Sequence, residues 1–205
     1  KNPLTPIQLS AQRVRKAFLR QAPDLDRVVA ESTRAIVAEV EALKHLVDEF
    51  AQFARLPQPQ PAPTILADLI DETLALYDGL FREVHFERHY AADLPKVRLD
   101  PHQIKRVLIN LIDNAIDAMG KRGTIEIAAT LDAGASRLQI SVADDGPGIP
   151  EEAREHLFVP SFSTKRRGSG LGLAVVSRIV QEHGGAIRVE GNQPKGARFV
   201  VELPL

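Results

Sequence analysis

The chain opens with apolar residues at Leu4, Ile7, Ala11, Val14 and Phe18, spaced 3, 4, 3 and 4, which is one stripe of an amphipathic helix. Pro3 and Pro6 fit a first helical turn, where a missing N–H costs little, although Pro6 would weaken a helix that started upstream of Lys1. After Ala22-Pro23-Asp24 a longer pattern runs to about Leu56. Val29, Ile36, Leu43 and Phe50 recur every seven residues, with Thr33, Val40, Val47 and Ala54 interleaved. That is a coiled-coil seam, and two such helices joined by a short Pro-containing loop predict an antiparallel helical hairpin. A hairpin this thin buries its apolar stripe well only against a partner. The expectation is a homodimer in the form of a four-helix bundle; the alternative is packing of the hairpin on the rest of the same chain.

Four prolines within residues 57–63 predict a semi-rigid extended spacer that is neither helix nor central strand, and a domain boundary with it. Beyond it the pattern predicts a helix over Ile65–Tyr77, strands over Val84–Tyr90 and Val97–Leu99, and a helix from about Pro101 to Met119. Period-two alternation over Thr124–Thr130 and Arg137–Ala143 predicts a β-hairpin turning at Asp132-Ala133-Gly134. Two Gly-rich loops separated by a polar segment follow, then a helix over Leu173–His183 and strands over Ala186–Glu190 and Arg198–Leu203. The class is α+β, with a mixed or antiparallel sheet and helices on one face. Residues 1–56 form the hairpin domain, 57–63 the linker and 64–205 the second domain.

Composition narrows the chemistry. The 205 residues carry 26 Lys+Arg against 27 Asp+Glu, a net charge of −1. So even a balance gives no support for nucleic-acid binding by bulk phosphate attraction, or for a polybasic membrane surface. No apolar run approaches the ~20 residues of a membrane span. The lack of cysteine excludes disulfides, thiolate zinc sites, iron–sulfur clusters and thiol nucleophiles. With no Trp and 5% aromatics, ring stacking is not the main recognition device. A start at Lys1, without Met and inside a helical pattern, reads as a fragment.

Three clusters carry candidate chemistry. In the helix ending at Met119, Asn110, Asn114 and Asp117 lie at i, i+4 and i+7 and share one face. Carboxamides beside a carboxylate offer oxygen ligands to Mg²⁺ that keeps its waters and bridges phosphates; read alone, the face is equally a solvated one. Second, Asp144-Asp145-Gly146-Pro147-Gly148-Ile149 follows a strand, setting a fixed carboxylate beside backbone that a flat ligand such as adenine can approach; the bland reading is a turn. Third, residues 163–173, Ser-Thr-Lys-Arg-Arg-Gly-Ser-Gly-Leu-Gly-Leu, run straight into a helix, so their N–H groups and the helix dipole favour an anion. A flexible linker is the alternative there. No P-loop and no strand–GxGxxG–helix unit occurs.

In order and spacing these clusters resemble the N box (Asn110–Asn114), G1 box (Asp144–Gly148), F box (Phe158–Phe162) and G2 box (Gly168–Gly172) of sensor histidine kinases. Their GHKL (Bergerat) ATP-binding fold, an α/β sandwich with a mixed sheet, is shared with gyrase, Hsp90 and MutL. Lys1-Asn2-Pro3-Leu4-Thr5-Pro6-Ile7 resembles the H box of the dimerisation helix, and the combination most resembles the nitrogen-regulation branch, the NtrY and NtrB type.

The resemblance implies a kinase core that moves the γ-phosphoryl of ATP to a histidine and serves a response regulator receiver domain, with ATP and Mg²⁺ as cofactors. It implies that Asn114 ligands Mg²⁺, with Asn110 beside it and Asp117 a weaker candidate. Asp144 would accept from the adenine amino group, with Gly146 and Gly148 giving room and Ile149 lining the base. Phe158 and Phe162 would anchor a lid in which Ser163, Thr164, Lys165, Gly168, Gly170, Leu171, Gly172 and Leu173 close over the triphosphate. The family's acceptor, in the pattern His-Glu-x-Lys-Asn-Pro, would fall before Lys1. None of the histidines at 45, 85, 89, 102, 156 and 183 holds that place, and each reads as a surface or packing residue. Asn2 matches the residue that orients water for dephosphorylating the regulator. Ala197 stands where many relatives carry a Thr that helps hold adenine. The implied location is the cytoplasm, with no membrane contact in these residues and an inner-membrane anchor in the full-length protein. Two rival readings remain: a GHKL ATPase, and a non-phosphorylating, nucleotide-gated dimeric scaffold.

Overall fold

The computed structural model describes residues 4–54, 56–92, 94–132, 136–160, 162 and 170–205. Contacts divide the chain into two units, Lys1–Leu56 and Pro57–Leu205. The first is a hairpin of α1 (Leu4–Leu19) and α2 (Leu25–Ala54). Val28 and Ser32 are buried within it and Arg13 pairs with Glu31 at 2.9 Å across the two helices. The heptad positions Val29, Val40, Val47 and Phe50 are 38–58% exposed, because a two-helix layer has no second surface to cover them.

The second unit runs β1 (Ala62–Thr64), α3 (Leu66–Leu74) with a 3-10 turn at Ala75–Tyr77, β2 (Val84–Tyr90), β3 (Val97–Leu99) and α4 (Pro101–Ala118). Then come β4 (Gly123–Asp132), β5 (Arg137–Asp144), the single turn α5 (Glu151–Arg154), α6 (Gly172–Glu182), β6 (Ala186–Gly191) and β7 (Ala197–Pro204). Five strands form one sheet in the order β2-β4-β5-β7-β6, parallel between β2 and β4 and antiparallel elsewhere. The period-two pattern sends Ile125, Ile127, Ala129, Leu138, Ile140, Val142, Phe199 and Val201 to one face, where they are buried. There α4 and α6 cover them with Ile104, Leu108, Leu111, Ile112, Val176 and Ile179, all 1% exposed or less. This is the mixed sheet with helices on one face that the alternation predicts. Of the expected turn, Asp132 ends β4, and Ala133 and Gly134 lie outside the described residues.

The proline-rich segment is less of a free spacer than its composition suggests. Its end is strand β1, which pairs antiparallel with β3 in a separate two-stranded ladder. Pro57 O accepts from Gln103 Nε2 at 3.0 Å and Gln60 N–H donates to Asp100 Oδ2 at 2.9 Å. Prolines forbid a central strand, but Pro63 is flanked by Ala62 and Thr64, which keep the N–H groups that a short edge pairing uses.

Asp100 joins that segment to the helix layer. It caps α4, its Oδ1 accepting from the N–H groups of His102 and Gln103 at 3.0 and 3.1 Å, with Pro101 at the first helical position. Its own N–H donates to His183 Nε2 at 3.2 Å, while His183 Nδ1 lies 2.8 Å from Ile179 O, so Nδ1 carries the proton. Burial alone would raise the Asp100 carboxyl, but the N–H donors of Gln60, Gln103 and His102, with a smaller contribution from His183, hold it below the ordinary carboxylate value. A lowered folded-state value means stabilisation that is present above 3.8 and lost as pH falls through the lowered value. Asp100→Ala is expected to cost about 1–2 kcal/mol in urea unfolding at neutral pH. The gap to the parent chain should close in strongly acid solution.

Candidate functional site

The centre of the site is the end of β5. Asp144 is 4% exposed, held between β4 and β7. Its Oδ1 accepts from the N–H groups of Gly146 at 2.9 Å and Ala197 at 3.3 Å, and its main-chain carbonyl accepts from Asn192 Nδ2 at 2.9 Å. Burial pushes the carboxyl up, the two N–H donors pull it back, Asp145 pushes it up again, and the net direction is upward. Position 197 thus contributes a backbone N–H, whatever its side chain.

Glycines make this packing feasible. A Cβ on Gly196, whose φ is +111°, would sit 1.8 Å from Asp144 O, and a Cβ on Gly148, at φ +77°, 3.0 Å from Gly196 O. On Gly146 it would come within 2.8 Å of Asp144 Oδ1 and 3.4 Å of Met119 Cγ. The loop after β5, the β6–β7 loop and the end of α4 therefore interlock around one carboxylate. Ile149 is half-buried, its carbonyl held by Arg154 Nε at 3.3 Å from α5.

The second part of the site is the polar face of α4. Asn110 is half-buried, its Nδ2 donates to Arg106 O at 2.8 Å, and its Oδ1 would lie 2.7 Å from a Cβ on Gly172. Only a glycine lets α6 begin that close, so Asn110 and the start of α6 meet as the sequence clusters suggest. Asn114 is half-buried one turn along the same face, and Asp117 is exposed one turn further. Tyr77 O–H donates to Asp113 at 2.8 Å and steadies the adjoining face; burial first, and then this carboxylate, keep the phenol protonated. Two carboxamides and a carboxylate on a helix whose back is buried are hard oxygen donors with room for retained waters, a set that fits Mg²⁺.

The third part is the start of α6. Gly170 has φ +69°, Leu171 is 3% exposed, and α6 begins at Gly172, ahead of the expected Leu173, which is half-buried. Phe158 and Phe162 are half-buried, with the Phe162 ring 5.8 Å from that of His156. Asn2, Ser163, Thr164, Lys165 and Gly168 lie outside the described residues. What the described parts offer is a buried acceptor for a flat heterocycle at one end. At the other is a helix start next to oxygen ligands for an anion and its cation.

Asn192 and Met119 belong to this constellation and escape sequence reasoning. Asn192 reads as a turn residue, and only the pairing of β6 with β7 brings it to Asp144.

Residues 99–205 match the family described as histidine kinase-, DNA gyrase B-, and HSP90-like ATPase. The nitrogen regulation protein NtrY of Azorhizobium caulinodans is 34% identical over 210 residues, covering all of this chain and 27% of that protein. The chain thus spans about a quarter of that curated relative. Among solved structures, full-length ShkA in complex with AMPPNP superposes with a TM-score of 0.73 at 27% identity, over 100% of this chain and 46% of that one. Histidine kinase ThkA in complex with response regulator protein TrrA gives 0.71 at 30% identity, over 99% of this chain and 57% of that one.

Proposed function

Since the chain belongs to the histidine kinase-, DNA gyrase B-, and HSP90-like ATPase family, we propose that it is the ATP-binding and dimerisation core of a two-component sensor histidine kinase. The observation that supports this most directly is the Asp144 clamp, a buried carboxylate fixed by two N–H groups beside glycines that admit a flat base. The adenine amino group donates to Asp144, Gly146 and Gly148 keep the approach open, and Ile149 lines the base. Asn110, held by Arg106 O, turns its carbonyl toward the start of α6, where the N–H groups of Gly170, Leu171 and Gly172 receive the phosphates. Asn114 is the residue we assign to hold Mg²⁺, with Asn110 and Asp117 beside it, and the ion would supply neutralisation of the phosphate charge. Phe158 and Phe162 anchor the lid formed by residues 163–173. Catalysis here is positioning and charge neutralisation.

In this reading the γ-phosphoryl passes from ATP to a histidine of the dimerisation helix placed before Lys1, and then to an aspartate of a receiver domain. Asn2 orients water for the separate hydrolysis of that aspartyl phosphate, which releases inorganic phosphate. The crystallised pairing of ThkA with TrrA supports a regulator as partner. Use of ATP places the core in the cytoplasm, and among the described residues no helix is long and apolar enough to cross a membrane. The decisive experiment incubates this chain, and a version extended upstream by about two helical turns, with γ-labelled ATP and Mg²⁺. Acid-labile, base-stable label on the extended chain supports the proposal. Absence of label from both, with release of inorganic phosphate, would make the protein a simple ATPase.

The homodimer rests on the exposed seam of α2. Leu43→Glu puts a charge into that seam and is expected to give monomers by light scattering. An unaltered dimer would rule out this packing.

A further inference from the structure

The face of the sheet opposite the helices carries a cluster that the nucleotide site does not use. On the edge strand β2, alternate residues His85, Glu87 and His89 all point to this face and are exposed. Glu87 stands directly opposite Glu126 of β4 in the parallel register. One ligand atom each from Glu87, His89 and Glu126 lie within 4.8 Å of one another, and His89 Nε2 is 3.9 Å from Glu87 Oε2. Two carboxylates paired across a ladder repel, and the cation seen beside them is Arg198, 3.3 Å from Glu126 on its far side. Two carboxylates thus stand beside one guanidinium among the described residues, with an imidazole nitrogen within 4.8 Å of both.

We propose that Glu87, His89 and Glu126 form a surface site for a divalent transition-metal ion of the Zn²⁺ class. Imidazole with carboxylates suits Zn²⁺, whereas Mg²⁺ prefers an all-oxygen octahedron. In a tetrahedral Zn²⁺ site, bonds of about 2.0–2.1 Å put ligand atoms about 3.3 Å apart. Small rotations of the exposed Glu87 and His89 and the half-buried Glu126 close the present spacing to that. The backbone supplies the rest, since strand alternation fixes Glu87 and His89 on one side and the β2–β4 register fixes Glu126. An ion here would tie the edge strand β2 to the sheet and replace the repulsion between the two glutamates by a shared cation. None of these residues belongs to the proposed nucleotide site, so the two assignments stand or fall separately.

Titration calorimetry of tag-free, nucleotide-free protein with zinc chloride is expected to give one site per chain and a thermal midpoint that rises with zinc. Glu87→Gln and His89→Gln are each expected to weaken binding at least about tenfold. His102→Gln, remote and exposed, should leave it unchanged. Arg198→Gln, which removes the competing cation, should tighten it. The substituted ligand side chains lie on the surface, so circular dichroism of the variants should match the parent. Zinc binding of undiminished affinity in the Glu87→Gln/His89→Gln double variant, or no saturable binding in the parent, overturns the site.

Discussion

Asn114→Ala is expected to abolish Mg²⁺-dependent ATP binding while the protein stays folded. The face of α4 that carries the fold is Leu108, Leu111, Ile112, Ala115 and Ile116, all buried, whereas Asn114 is half-buried on the opposite side. Alanine is also the better helix former. Loss of a direct ligand should cost at least as much as the hundredfold that loss of supporting contacts reaches, so affinity for Mg-ATP should fall by about a hundredfold or more. Binding of adenosine without Mg²⁺, which depends on Asp144, should persist. Calorimetry with Mg-ATP and with adenosine separates the two, and unchanged Mg-ATP affinity in a folded variant would defeat the assignment of Asn114.

Asp144→Asn should instead weaken Mg-ATP and adenosine alike. The replacement is isosteric and keeps one oxygen for the N–H groups of Gly146 and Ala197, but it turns an NH₂ toward the adenine amino group. Donor would then face donor, and nucleotide affinity should drop about ten- to a hundredfold with or without Mg²⁺. Stability should move the other way. Burial raises the folded-state value of this carboxyl above the ordinary 3.8, so folding favours its protonated form. The resulting penalty is absent below 3.8, grows as pH climbs toward the raised value, and stands in full above it. The variant should therefore melt at or above the parent's temperature at neutral pH and lose that advantage in acid. A variant that melts lower but binds nucleotide normally would contradict both the burial argument and the site.

How much of this was legible in the sequence depends on the range of the interaction that makes each element. Helix α4 is legible because its apolar residues recur at helical spacing, which also fixes Asn110, Asn114 and Asp117 on the remaining face. Strands β4 and β5 are legible because Ile125, Ile127, Leu138, Ile140 and Val142 alternate with residues of the other face. The four-residue helix α5 is too short to show a period. Strand β1 is hidden by its prolines and exists because Val97–Leu99 offers an edge. Within the site, Asp144 and its glycines are visible as an Asp at a strand end. The donors that hold it, Asn192 Nδ2 and Ala197 N–H, are visible only once β7 lies beside β5. The role of His183 is hidden for the same reason: its partner Asp100 N–H comes from a distant strand end.

That placement of β7 bears on how the chain acquires its shape. The contacts of α1 with α2 are local, so the hairpin needs little more than its own short loop to close, and it should form early and fast. The sheet has no such shortcut: β7 is an interior strand between β5 and β6, pairing Ala143 with Arg198 and Arg137 with Pro204. While a ribosome is still adding residues before Ala197, β5 has one bare edge, Val142 and Ile140 lack part of their cover, and the Asp144 carboxylate lacks one of its two N–H donors. Competence to hold a nucleotide should therefore appear only once β7 has been added, and in a single step. A nascent chain stalled before β7 is the form most exposed to misassembly, and the one that a chaperone would meet.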